Sequence, residues 1–202
     1  MYSKVKTNTF YCWQISQLPQ NFSLIDKGIL YFHLLKISFI MVLNASSADK
    51  KLRRMALEIA ERNEGVNEII IIGIKENGIF IAKKIEEYLQ PFFLGKLKTV
   101  ALTINKKNPN EVILSEEVLL ENKLVLLVDD VANSGKTMLY SLRPLLLKYP
   151  SQIQTLALVE RTHKTFPIAL NYVGLSVSTT KQETIVVTVS AGEISGAGII
   201  SS

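Results

Sequence analysis

Apolar residues recur along this chain in two rhythms. Leu52, Met55, Ala56, Ile59 and Ala60 fall at helical spacing and share one face. Ser46 with Asp49 resembles a capping box at the start of that helix, and Gly65 ends it. Glu68-Ile69-Ile70-Ile71-Ile72-Gly73 is instead a continuous β-branched run, the pattern of a strand buried on both faces. A second helix is predicted from about Gly78 to Gln90, stopped by Pro91. Leu97–Ile104 and Lys123–Val128 read as strands, with a polar turn at Asn105–Asn110 after the first of them. A third helix runs from about Gly135 to Lys148, with Pro144 as a candidate kink, and Ile153–Val159 is strand again. Strands alternating with helices through short loops predict an α/β fold, a parallel sheet flanked by helices. Ligands on such sheets bind beyond the carboxyl ends of the strands. The loops after Ile72, Val128 and Val159 are therefore where chemistry is expected.

The two ends follow neither rhythm. Residues 1–28 show no sustained period and hold Cys12 and Trp13. Residues 29–43 are nearly all apolar but are broken by His33 and Lys36. That run is short for a bilayer span of ~20 residues and lies far from Met1 for a secretory signal. Three readings of residues 1–40 remain, in this order: a non-native extension ahead of a true start at Met41, a peripheral helix, or a weak membrane anchor. Residues 41–189 are the expected domain. The tail, 190–202, is almost uncharged and reads as a frayed end or a last edge strand.

Composition narrows the class. A chain of 202 residues, 48% apolar and 20% charged, suffices for one α/β domain with a real core and is not disordered. One Cys excludes an internal disulfide framework and a Cys-rich zinc module, and two distant His argue against a catalytic metal site. A cytoplasmic protein without stable membrane association is expected. The net charge of +5 is concentrated at the start, where Lys4, Lys6, Lys27 and Lys36 face only Asp26. The rest is too nearly neutral for a general polyanion binder, so any nucleic-acid surface is a local patch. Lys50, Arg53 and Arg54, on one face of the first helix, are the candidate for it; an ordinary solvated helix face is the competing and simpler reading.

The most specific feature is the loop after Leu124–Val128. It reads Asp129-Asp130-Val131-Ala132-Asn133-Ser134-Gly135-Lys136-Thr137. Adjacent carboxylates at a strand end can accept hydrogen bonds from vicinal hydroxyls or hold a hydrated Mg²⁺. Ala132–Thr137 turns into a helix N-terminus, whose free amides and positive dipole end suit a phosphate. Gly135 admits close backbone approach, and Ser134 and Thr137 add hydroxyl donors. Acids and phosphate cradle lie about as far apart as a ribose diol and its 5′-phosphate. A P-loop is excluded, because its earlier Gly is replaced by Asp130.

Val125–Thr137 resembles the phosphoribosyl-pyrophosphate signature of type I phosphoribosyltransferases. Two further stretches, Ala56–Ile85 and Ala157–Val187, resemble the bifunctional pyrimidine-operon attenuator and uracil phosphoribosyltransferase family. The resemblance covers roughly Ser47–Val189. It implies a type I phosphoribosyltransferase fold with a small hood, Mg²⁺ as cofactor, and transfer of ribose 5-phosphate to a nucleobase, uracil first. Asp129 and Asp130 are implied to hold the ribose hydroxyls, with the metal reached through donor or water, and Ala132, Asn133, Ser134, Gly135, Lys136 and Thr137 the 5′-phosphate. The loop of Ile74, Lys75 and Glu76 is implied to cradle pyrophosphate. The hood is implied to be Glu160–Thr180, with the Val173 backbone at the base edge and Tyr172 and Arg161 near it. A homodimer and an mRNA leader partner are also family expectations.

Three departures bear on turnover. Glu76 brings a negative charge toward the leaving group, and a carboxylate about 4 Å from a phosphate costs a few kcal/mol at a surface-like dielectric. It must point away or pyrophosphate binds poorly. Asn77 stands where close relatives are usually basic. The lid turn Asn105–Asn110, with Lys106 and Lys107, is shorter than theirs. Asn133 replaces an acid common in purine enzymes and disfavours a 6-oxopurine acceptor. The rival reading is a uridine-nucleotide-sensing RNA-binding regulator with little or no catalysis; a phosphoribosyltransferase for another acceptor is a third.

Overall fold

The β-branched runs form the centre of the sheet in the computed structural model, which describes residues 38–105, 111–190 and 192–201. Readings that concern residues 1–37, and Lys106 and Lys107 of the lid turn, lie outside the described residues.

Strands β2 (Glu68–Ile74), β3 (Lys96–Ile104), β5 (Leu124–Ala132), β6 (Gln152–Arg161) and β7 (Tyr172–Val177) run parallel, and β4 (Val112–Leu114) closes one edge antiparallel to β3. The order is β4-β3-β2-β5-β6-β7. Successive side chains of β2 enter opposite cores. Ile69 and Ile71 pack with α1 (Ala45–Arg62) and α2 (Gly78–Leu89), while Ile70 and Ile72 pack with Met138 and Leu145 of α3 (Lys136–Leu146). Both faces are thus covered, which is what a continuous isoleucine run requires. Gly174 lets β7 approach β6 closely, since a Cβ there would lie 2.4 Å from the Leu158 carbonyl oxygen.

A second sheet differs from the sequence expectation. β1 (Ser38–Asn44), β8 (Glu183–Ser190) and β9 (Glu193–Ser201) form an antiparallel sheet in the order β1-β9-β8. The tail is therefore the central strand of this sheet, with Ala197 buried in the main core beside Leu43, Ile185 and Val187. Ser38, Phe39 and Ile40, ahead of Met41, pair with Ser201, Ile200 and Ile199. The regular structure thus extends beyond 41–189 at both ends. Glu160–Thr180 is not the small sheet: β7 within it completes the main one.

The start of α1 also differs. Asn44 caps it, its side-chain oxygen accepting the Ser47 N–H at 2.9 Å. Asp49 is drawn elsewhere: it accepts from Arg53 at 2.8 Å and from the Tyr88 hydroxyl of α2. The Tyr88 hydrogen bond first, then Arg53, holds the Asp49 carboxyl below its usual 3.8. A native carboxyl depressed in this way adds stability that is present above the unfolded pKa and lost as pH falls through the folded one. Under α1, Asn63, Gln154 and Tyr172 form a buried polar cluster. The Asn63 amide nitrogen lies 3.2 Å from both Gln154 Oε1 and the Tyr172 hydroxyl, and Gln154 Nε2 donates back to Asn63 Oδ1 at 2.8 Å.

We expect Asn63→Ala to leave Gln154 Nε2 unpaired in the interior and cost about 2 kcal/mol, and Tyr172→Phe, which strands less, about 1 kcal/mol. Urea midpoints at constant m-value measure both. Against wild type, Asp49→Asn is expected to be less stable at neutral pH, with the difference starting to shrink near pH 3.8 and gone once pH has fallen through the lower folded value. Parallel urea titrations down the pH range test the sign.

Candidate active site

β5 pairs with β2 only as far as Val128 opposite Gly73, but with β6 as far as Ala132 opposite Glu160. Beyond Val128 one flank of β5 is therefore free of strand, and a cavity of about 290 Å³ opens there. Asp129 and Asp130 line it on one side, the turn 132–135 with Thr137 on another, and Ile185–Val187 of β8 form its roof.

The acids are held, not loose. Asp129 is buried and accepts the Asp130 N–H at 2.9 Å. Asp130 Oδ1 accepts the Val131 N–H at 2.9 Å, and Oδ2 accepts Asn77 Nδ2 at 2.9 Å. Each carboxylate oxygen has a second lone pair, so acceptor capacity toward a diol remains. α2 begins hard against this strand end: a Cβ on Gly78 would lie 2.8 Å from the Val128 oxygen and 3.1 Å from Asp129 Cα.

The turn is set by Gly135, at φ +77°. A side chain there is excluded twice over, by the left-handed backbone and by Ile168 Cγ2, 2.5 Å from the position of a Cβ. Phe166 N–H donates to the Ser134 oxygen at 2.9 Å and braces the turn from behind. The Leu139 N–H to Gly135 oxygen bond, 3.0 Å, starts the α3 ladder. The amides of Thr137 and Met138 belong to the first turn, where a helix supplies its amides no partner of its own, while that of Lys136 reaches Ser134 Oγ at 3.3 Å. No acid in the first turn opposes an anion.

Two asparagines tie the small sheet down over the cavity. Asn133 Nδ2 donates to the Ile185 oxygen at 3.0 Å, and its Oδ1 accepts the Ile185 N–H at 3.2 Å. Asn77 Nδ2 donates to the Val187 oxygen at 3.1 Å as well as to Asp130.

Of the residues singled out from sequence, Asp129, Asp130, Ala132, Asn133, Ser134, Gly135 and Thr137 meet at this cavity. Ile74 is buried in the core, and Lys75 and Glu76 are exposed and off the cavity lining. Their peptide is cis, and the Lys75 N–H is bonded to the Leu102 oxygen at 2.8 Å. Glu76 therefore adds no charge to the lining of this cavity. Lys136 extends its ammonium over the Tyr140 ring, 5.8 Å from its centroid, rather than into the cavity. Val173 lies elsewhere in the sheet. It sits in β7, outside the cavity, and its oxygen accepts Arg54 Nη2 at 2.6 Å. Tyr172 is buried in the polar cluster, the Arg161 guanidinium donates to the Thr180 oxygen, and His163 is exposed. Ile185–Val187 take the roof instead. Their sequence signal was the alternation of Ile185, Val187 and Val189 with Thr184, Val186 and Thr188, a half-buried strand.

The basic face of α1 is largely committed within the protein. Arg53 pairs with Asp49 and stacks on Tyr88 at 4.1 Å; Arg54 pairs with Glu58 at 3.1 Å besides its bond to Val173. Among the described residues no three His, Cys, Asp or Glu side chains cluster as a metal cage. Two adjacent acids fit a divalent ion that arrives on a ligand, not one held permanently. No helix among the described residues is long and apolar enough to cross a membrane.

With this geometry in hand, comparison with known proteins is consistent across three levels. The phosphoribosyl transferase domain matches residues 41–191. The chain is 35% identical over 157 residues to the "Bifunctional protein PyrR" of Bacillus cereus (strain B4264) and of Bacillus anthracis (strain A0248), covering 72% of this chain and 87% of each relative. A hypoxanthine-guanine phosphoribosyltransferase (hpt-2) from Bacillus anthracis superposes with TM-score 0.60 at 19% identity, over 73% of this chain and 85% of that one. The hypoxanthine phosphoribosyltransferase of Trypanosoma cruzi gives 0.62 at 15%, over 69% and 82%. At those identities the solved structures speak for the fold.

Gly135→Ala is expected to deform the turn and weaken any anion held there. Inorganic phosphate should raise the melting temperature of wild type and leave that of the variant almost unchanged, which calorimetry with and without phosphate checks.

Proposed function

The chain belongs to the phosphoribosyl transferase family, and from that premise we propose that it transfers ribose 5-phosphate from phosphoribosyl pyrophosphate to uracil, giving UMP and pyrophosphate. The observation that carries the reading is one cavity lined both by two carboxylates and by the residues that open α3. A pentose 5-phosphate satisfies both sides at once. The Thr137 and Met138 amides and the neighbouring hydroxyls take the phosphate. Asp129 and Asp130 take the 2′- and 3′-hydroxyls as acceptors.

The same placement serves the reaction. As pyrophosphate leaves, positive charge develops at the anomeric carbon, and two fixed carboxylates beside the ribose favour it. Seating the pentose at both ends holds the anomeric carbon in line with an acceptor and removes the entropy of meeting it. Mg²⁺ carried on the donor would supply neutralisation of the pyrophosphate charge. Uracil is favoured over a 6-oxopurine because Asn133 carries no titratable proton to exchange with a purine nitrogen, and because the relatives at 35% identity carry the bifunctional name. A single Cys and a diffusible, phosphorylated donor suit a cytoplasmic setting.

One observation favours a second reading. The loop after β2 contributes no cation to the cavity, since Lys75 is exposed outside it. A site that holds a uridine nucleotide well but pyrophosphate poorly suits a regulator that meets an mRNA leader, with Lys50, Arg53 and Arg54 as its contact face. Homodimerisation belongs with either reading.

Asp130→Asn keeps the size of the side chain but removes its charge. We expect kcat/KM for uracil-dependent pyrophosphate release to fall by about two orders of magnitude, with the melting temperature little changed. A panel of nucleobases with phosphoribosyl pyrophosphate and Mg²⁺ decides the acceptor; silence with every base, with UMP still bound, would establish the regulator.

A further inference from the structure

Asn77 stands at the N-cap of α2, where an asparagine ordinarily turns its side-chain oxygen back to an amide of its own helix. Asn44 does so at the start of α1, accepting the Ser47 N–H at 2.9 Å. The Asn77 side chain makes no such bond. Its backbone oxygen opens the α2 ladder, accepting the Phe80 N–H at 3.0 Å and the Ile81 N–H at 3.3 Å. Its side chain turns to the cavity instead. Nδ2 lies 2.9 Å from Asp130 Oδ2 and 3.1 Å from the Val187 oxygen, one acceptor for each of its two hydrogens. A single amide group is thus shared between β5 and the roof strand β8, and the helix goes without the cap.

The described residues that line the cavity include Asp129 and Asp130 and no lysine or arginine. With no cation in the lining to aim it, a carboxylate presents its lone pairs where its hydrogen bonds put them. Asp130 is bonded at both oxygens: Oδ1 by the Val131 N–H of its own strand at 2.9 Å, Oδ2 by Asn77 from another element. The first bond anchors one oxygen, and the second sets the plane of the group. Asn77 is itself aimed from a fixed point, because Val187, whose carbonyl it also holds, is buried in the main core. We propose that Asn77 is a positioning residue of the pentose seat: it sets the Asp130 carboxylate so that the remaining lone pairs meet a vicinal diol, and so makes the site select ribose over deoxygenated pentoses. The proposal rests on the reading of the cavity as a seat for a pentose 5-phosphate. The side-chain bonds of Asn77 go to Asp130 and Val187 and not to the turn 132–137, so its loss acts on the diol and not on the phosphate.

Two ligands isolate the diol: ribose 5-phosphate and its 2,3-dideoxy analogue, which share the ring and the phosphate. Titration calorimetry on the full chain gives the ratio of their affinities. Wild type is expected to bind ribose 5-phosphate about a hundredfold tighter, the worth of two hydroxyls bonded to charged acceptors. In Asn77→Ala the preference is expected to fall to about tenfold through weaker ribose 5-phosphate binding, with the dideoxy analogue within about twofold of wild type. A merely structural role, loosening of the roof, would weaken both ligands alike and leave the ratio as it was. Asn77→Ser is the second variant and serves if the alanine variant does not fold. Serine caps a helix as well as asparagine does, so α2 keeps its start, but one hydroxyl hydrogen cannot serve Asp130 and Val187 together. The same loss of preference is expected of it. A preference unchanged in the variants overturns the positioning role and leaves the seat intact. A wild type that binds the two ligands alike, or binds neither, overturns the seat and the positioning role together.

Discussion

The parting of β2 from β5 is the constraint on which the site depends. The two strands pair only to Gly73 and Val128, while β5 continues beside β6 for another turn of pleat and more. This is the point in the sheet where chain order reverses direction, with β3 reached outward from β2 on one side and β6 from β5 on the other. Connections leave in opposite directions there, so no loop fills the gap. Everything chemical follows from what is pushed into it: two carboxylates from β5, helix amides from α3, and the Asn77 amide from the loop after β2. Gly78 is part of the same constraint, because α2 can start beside Asp129 only without a side chain.

Much of this was legible in the sequence for a physical reason. A strand buried on both faces must be apolar at every position, so the runs in β2, β5 and β6 announce a covered parallel sheet. Polar residues at the end of such a run cannot be core, which made Asp129–Thr137 conspicuous. The small sheet was less legible. Its strands are half-exposed, and β1 joins residues over 150 positions away in the chain, such as Ser38 with Ser201. No local period reports a pairing of that range. The tail, with Gly196, Ala197 and Gly198 at its centre, reads as a frayed end or an edge strand, not as the middle of a sheet. Those small residues are what its place demands: a Cβ on Gly196 would meet the Leu43 oxygen at 2.7 Å, and one on Gly198 the ring of Phe39 at 2.2 Å.

Val173 and Ile185 lie in similar short apolar stretches, and nothing local distinguishes a strand that extends the main sheet from one that covers the site. The partner decides it. Val173 pairs with Ala157 of β6 and gives its carbonyl to Arg54, whereas Ile185 and Val187 turn their backbone toward the two asparagines. Asn77 and Asn133 were both noted as departures from an expected charge. Their common feature, an amide where relatives or purine enzymes carry an ion, becomes intelligible only with β8 in place. A neutral carboxamide can satisfy a backbone edge in a low-dielectric gap without the desolvation cost of a charge.

That substitution has a consequence for how the cavity is kept ready. An edge strand laid over a cavity has backbone groups without a strand partner, and such groups left bare in a closed space are costly. Water can serve only if the roof stays apart from the acids. Here the roof is down: β8 packs Ile185 and Val187 into the main core, so lifting it would expose apolar side chains along with the backbone. An internal carboxamide resolves the conflict by meeting the Ile185 edge with one donor and one acceptor. An aspartate at 133 would accept from the Ile185 N–H but repel the carbonyl beside it, and an alanine would leave both groups bare. The closed roof and the asparagine are in this sense one feature, and the identity of residue 133 follows from the edge it has to satisfy.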